Sequence, residues 1–217
     1  MTRRHKARET RTAYSKSRPP RRAKSSAAAL ASEHPEQGKW TYDDWARLPD
    51  DGTRYEVIDG ELYMTPPPSV SHQFTIANLL DAMSTFVRTR QLGFVLPLPI
   101  GVRLPNQPVP LEPDIIFVSA ARKAIIGKEY IEGVPDLIVE ILSPGNWMYD
   151  RHDKFRLYQT SGVPEYWIVD YRAKTVEVFV LEEGEFTLIG KWGVEETASS
   201  RGVSSLRMSV ADNLRDE

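Results

Sequence analysis

Two acidic residues stand where a carboxylate is hard to accommodate for structural reasons alone. Glu140 lies inside Asp136-Leu-Ile-Val-Glu-Ile-Leu142, a run with apolar residues on both sides of the alternation. Such a run predicts a central strand covered on both faces. An ionised carboxylate there is costly unless it is paired or bound to a metal. The plainer alternative is an exposed glutamate on an edge strand. Asp114 opens a second apolar run, Asp114-Ile-Ile-Phe-Val-Ser119, directly after Pro113. By itself it could be an ordinary strand-start aspartate. Together the two make a pair of hard oxygen donors on two strands of one expected sheet. Mg²⁺ takes one or two carboxylates plus substrate phosphate and keeps several waters. That is the chemistry of metal-assisted phosphodiester hydrolysis. A carboxylate pair also serves glycoside cleavage, but nothing in the sequence outlines a sugar cleft.

Lys154 is the third piece. It falls in the helix expected just after the Glu140 strand, and its spacing from Asp150 puts both on one helix face. An exposed ion pair of that kind contributes roughly 0–1 kcal/mol and needs no function. Beside a metal site, a lysine would instead orient the attacking water or offset charge on the phosphate.

These residues need elements to hold them. Thr41, followed by Asp43 and Asp44, predicts a capped helix running to about Leu48. Tyr55 to Met64 reads as a hairpin around Asp59-Gly60, a dipeptide that tolerates positive φ. Ser69 or Ser71 caps the next helix, whose Ile76, Leu79, Leu80, Met83, Phe86 and Val87 form one buried face. Strands are expected at Gly93 to Pro97, Ile100 to Leu104, Asp114 to Ser119 and Asp136 to Leu142. A helix from about Tyr149 to Ser161 ends at Gly162, with Pro164 just beyond. Glu165 to Asp170, Thr175 to Leu181 and Phe186 to Ile189 then form a meander, with Tyr166, Trp167 and Ile168 in the core. Trp40 and Trp45 anchor the first helix. This order predicts a mixed α/β fold with a central sheet.

The chain has 217 residues, 41% of them hydrophobic, enough for one domain with a real core. It contains no cysteine, which excludes disulfides, thiolate zinc sites and a cysteine nucleophile. No apolar run approaches the ~20 residues of a membrane span. Ala27 to Ala31 is too short for a signal-peptide core of roughly 7–15 residues. The expectation is a cytoplasmic protein. The net charge of −2 hides an asymmetry, because residues 1–24 hold ten basic residues and one acid, Glu9. The remainder therefore carries about −11. Residues 1–38, with Tyr14 as their single aromatic, are expected to form a disordered basic tail, and 39–217 the folded domain. The tail is either a solubilising extension or a phosphate-attracting arm.

Several stretches together resemble a known family. They are Tyr55-Glu-Val-Ile-Asp-Gly-Glu61, Ser71-His72-Gln73, Pro113-Asp114, Val134 to Pro144, Asp150 with Lys154 and Tyr158, and Gly162 to Asp170. In this order they look like the Uma-type restriction endonucleases of the PD-(D/E)xK nuclease superfamily, over roughly residues 40–210. The resemblance implies a restriction-endonuclease-like core, a mixed sheet flanked by helices. It implies Asp114 and Glu140 as ligands of Mg²⁺ or Mn²⁺, and Glu56 as a further ligand or water-positioning group. In the parent motif the lysine stands two residues after the acid, where this chain has Leu142. Members of the family supply it from the following helix, which matches Lys154. His72 matches a helix-start histidine, read here first as a capping or packing residue. Ser143 also matches, and Asp150 is read as a partner orienting Lys154.

The expected function is thus a metal-dependent endonuclease cleaving phosphodiester bonds, with DNA as substrate and a two-fold homodimer expected from symmetry. The alternatives are a catalytically silent nuclease-fold module that binds nucleic acid or protein, and a metal-dependent hydrolase of RNA or small phosphoesters.

Overall fold

The computed structural model describes residues 34–65, 67–105, 107–143 and 150–215. Most of the basic tail therefore lies outside the described residues. The unit that carries the fold runs from Pro35 to Glu217. It begins ahead of Lys39 because the Gln37 side chain bonds both the N–H and the carbonyl of Leu62.

Helix α1 spans Tyr42–Trp45 and is closed by a capping box between Thr41 and Asp44. It is shorter than its pattern suggested. Arg47 and Leu48 continue it only as tight three-residue turns, since Pro49 disfavours helical backbone at the residue before it. Trp45 Nε1 donates to the Tyr55 carbonyl at 2.9 Å and pins α1 to the hairpin. That hairpin pairs β1 (Arg54–Ile58) with β2 (Glu61–Thr65). Its turn residues Asp59 and Gly60 have φ of +52° and +78°, the geometry that matches the twist of paired strands.

Helix α2 (Val70–Thr89) is capped by Ser69, whose Oγ accepts the His72 N–H. Ile76, Leu79, Met83 and Val87 form its buried face, each contributing about 1.5–3 kcal/mol of apolar burial. Strands β3 (Gly93–Pro97), β4 (Gly101–Arg103), β5 (Ile115–Ser119), β6 (Tyr130–Glu132) and β7 (Leu137–Ile141) follow. Then come a π-helical turn over Asp150–Lys154, helix α3 (Phe155–Thr160), and strands β8 (Glu165–Asp170), β9 (Thr175–Glu182) and β10 (Glu185–Trp192). The short pair β11 (Thr197–Ser199) and β12 (Arg207–Ser209) and helix α4 (Val210–Asn213) complete the chain. The regular helix expected from Tyr149 is replaced at its start by the π turn.

The main sheet has six strands in the order β10-β9-β8-β7-β5-β3. Only β7 and β8 run parallel. The connection carrying the π turn and α3 is the crossover that joins them, as parallel neighbours require. β7 sits in the middle and every one of its residues is buried. Leu137, Val139 and Ile141 face α2, while Ile138 and Leu142 pack with Ile58, Tyr158 and Tyr166 on the other side.

Candidate active site

Glu140 shares the alternation of Ile138 and Leu142, so it enters the layer that contains Tyr158 and Ile58 rather than the α2 layer. Ile115 is paired with Val139 in the antiparallel β5–β7 ladder. One residue further along the same register stands Asp114 opposite Glu140, and opposed residues of an antiparallel pair lie on one face. Both carboxylates are 2% exposed. Asp114 Oδ2 accepts the Ile141 N–H at 2.7 Å. Its Oδ1 is buried with no hydrogen-bond partner among the described residues.

Lys154 reaches the same place from the crossover. Its Nζ donates to Glu140 Oε1 at 2.9 Å and lies 3.4 Å from Glu56 Oε2. Lys154 is fully buried, so it is no surface ion pair. Leu142, at the lysine position of the parent motif, is core. The Lys154 ammonium thus reaches Glu140 from a different element, the crossover after β7. Glu56 comes from β1, with 1% exposure, and its Oε1 accepts the Glu112 N–H at 3.3 Å. The side chain of Asp150 lies outside the described residues. The lysine it was expected to orient is held by Glu140 and Glu56.

His72 sits in the first turn of α2. Its Nε2 is 3.1 Å from the Ile141 carbonyl and 3.5 Å from Asp114 Oδ2. A carbonyl only accepts, so Nε2 carries the hydrogen. The ring meets Tyr171 edge-on at 6.3 Å. His72 therefore packs against Tyr171 and ties α2 to the end of β7 beside Asp114.

Three further residues join the site without having been singled out for it. Tyr158 donates its hydroxyl to Glu140 Oε1 at 2.6 Å. Burial pushes the Tyr158 phenol well above its ordinary range, and the Glu140 charge pushes it further, so it stays a hydrogen-bond donor. It follows Lys154 by four residues, a helical spacing that could have flagged it. Arg54 precedes Glu56 by two on β1 and so shares its face. Burial works against the Arg54 charge, but Glu56, Glu140, Asp114 and Glu112 together outweigh it and push the guanidinium further up. Glu112 comes from the loop before β5, and no local pattern announced it. Burial raises its carboxyl above the ordinary value, with Arg54 pulling it down and Glu56 adding to the rise.

The cluster thus gathers four acids, Glu56, Glu112, Asp114 and Glu140, around two fixed cations, Lys154 and Arg54. Buried negative charge in excess of its cations is costly. The surplus and the bare Asp114 Oδ1 both fit a divalent, oxygen-seeking cation. Among the described residues no trio of His, Asp or Glu side chains forms a chelating cage. Two carboxylates, Asp114 and Glu140, would be the donors open to such an ion, a number that suits Mg²⁺ with its retained waters.

Residues 41–211 match the model of a family described as "Uma2: Putative restriction endonuclease". Among solved structures the chain is similar to a putative nuclease belonging to DUF820 from Anabaena variabilis. The two share 18% identity with a TM-score of 0.65, over 83% of this chain and 98% of that one. No curated protein matches the chain.

Proposed function

The chain belongs to the Uma2 family of putative restriction endonucleases, and from that premise we propose that it is a metal-dependent endonuclease hydrolysing phosphodiester bonds in DNA. The observation that supports this reading best is the meeting of Lys154 with Glu140 and Glu56 beside the bare oxygen of Asp114. Asp114 and Glu140 are the residues that would hold Mg²⁺ or Mn²⁺. When bound, the metal would supply a more acidic water and polarise the scissile phosphate.

The chain's own residues supply the rest. The Ile141 N–H fixes Asp114 Oδ2, and His72 packs beside it, while Oδ1 keeps no protein partner among the described residues. Tyr158 and Lys154 fix Glu140. Such supports around a ligand orient it and typically change affinity or activity by about 10–100-fold when lost. The Lys154 ammonium offers donors to the phosphate as charge builds on its oxygens. In hydrolysis the water oxygen bonds to phosphorus and gives up a proton, one P–O ester bond breaks, and the departing alkoxide takes up a proton.

Purified protein should nick supercoiled plasmid with Mg²⁺ or Mn²⁺. Asp114→Asn and Glu140→Gln should each abolish nicking while keeping the fold. Equal cleavage by wild type and both variants would falsify the assignment.

A further inference from the structure

Arg54 is the cation of the cluster whose donors are least committed. Two of the three Lys154 donors already face Glu140 and Glu56. The acids are largely spent as well: Glu140 accepts from Tyr158, Asp114 Oδ2 from Ile141 N–H, and Glu56 from Glu112 N–H. A guanidinium has five N–H donors. Arg54 uses one of them in a long bond, NH1 to the Glu112 carbonyl at 3.4 Å. Its Nε is shielded from solvent with no partner, and Arg54 forms no ion pair among the described residues.

Its position fits a ligand approaching from outside. Arg54 opens β1, two residues ahead of Glu56 on the same face, and is half-buried where Glu56 is fully buried. Arg54 is thus the more exposed of the two residues that β1 brings to the acidic cluster. A polyanion reaching four acids needs a cation there, and the acidic body of the protein supplies no general attraction. The planar fork of arginine matches two oxygens of a phosphate.

We propose that Arg54 is a substrate-binding residue whose guanidinium grips the non-bridging oxygens of the phosphodiester beside the acidic cluster. This rests on the nuclease reading above. Nearby carboxylates keep Arg54 charged while leaving its donors to the substrate.

The test measures binding and cleavage separately on the full chain. Binding of a short duplex DNA is followed against salt concentration in EDTA, where no metal-dependent cutting occurs. One lost phosphate contact lowers the slope of log K against log salt by about 1. Arg54→Gln should show that drop, and its kcat/KM for plasmid nicking should fall about 100-fold or more. Arg54→Lys keeps the charge but not the fork, so its slope should stay while its rate falls between the two. It also carries the test if Arg54→Gln does not fold. An unchanged slope in Arg54→Gln, whatever its rate, overturns the proposal, as does a wild-type rate in Arg54→Lys. Wild type that binds DNA but never nicks it defeats the nuclease reading alone. Wild type that binds no DNA defeats both.

Discussion

Lys154 Nζ lies 2.9 Å from Glu140 Oε1, although the two residues are fourteen apart and belong to a π turn and a strand. Both groups are withdrawn from water, so each depends on the other. Removing one partner of a buried pair costs about 3–5 kcal/mol, because the remaining charge has no compensation. Lys154→Met should lower the unfolding free energy by that amount in denaturant titration. Added Mg²⁺ should return more stability to Lys154→Met than to wild type, since a bound cation replaces the lost ammonium. A variant as stable as wild type, or indifferent to Mg²⁺, counts against the coupling.

Asp114→Asn separates metal binding from folding. The asparagine carbonyl can still accept the Ile141 N–H that Oδ2 accepts now. Its amide cannot replace a charged ligand. Calorimetric titration with Mn²⁺ should show heat for wild type and none for Asp114→Asn, at similar melting temperatures. Equal binding by both would remove Asp114 from the metal site.

Tyr158→Phe removes one hydroxyl from Glu140 and leaves the ring in place. Stability should fall by about 0.5–1.5 kcal/mol, the net contribution of one buried hydrogen bond, or somewhat more because the acceptor is charged. Nicking should slow by roughly 10–100-fold, because Glu140 loses an orienting donor. A wild-type rate would reduce Tyr158 to packing.

The π turn that carries Lys154 is also tied to the sheet through Arg151, which makes two bonds to Glu177 on β9, while Lys191 makes a third contact. Burial alone would raise the Glu177 carboxyl, but these cations outweigh it and hold it below its ordinary value of 4.5. A group depressed in the folded state stabilises the fold above its unfolded value and loses that contribution as pH falls through the folded one. Wild type should therefore lose stability faster below pH 4.5 than Glu177→Gln does. Parallel acid limbs in pH-dependent melting would exclude Glu177 from this role.

The basic N-terminal segment offers a test of DNA attraction. We propose that it supplies affinity that the acidic body does not. Removing residues 1–33 leaves the Gln37 bonds to Leu62 in place. The truncated protein should bind DNA with a flatter dependence of log K on log salt. The same slope with and without the segment would make it a solubilising extension.

By itself the sequence determined most of the longer elements and singled out the two acids. Strand and helix periods, the Asp59-Gly60 turn, the Ser69 cap and the Gly162 stop are short-range signals, and the structure contains each of them. Glu140 stood out because an acid inside an apolar strand conflicts with its neighbours locally. The sequence also suggested Lys154, but as one member of an Asp–Lys pair on a helix face. Only the tertiary structure decided that the lysine is buried against Glu140 and Glu56, since the pairing depends on how the crossover packs over β7. Arg54 and Glu112 entered the site in the same way, through hairpin and loop packing across more than fifty residues of separation. The small pairs β4–β6 and β11–β12 were equally illegible as pairs, because strands of three residues carry almost no periodicity. Local spacing sets which way a side chain leaves its own element. Convergence of side chains from different elements is set by burial and strand order, which no local window contains.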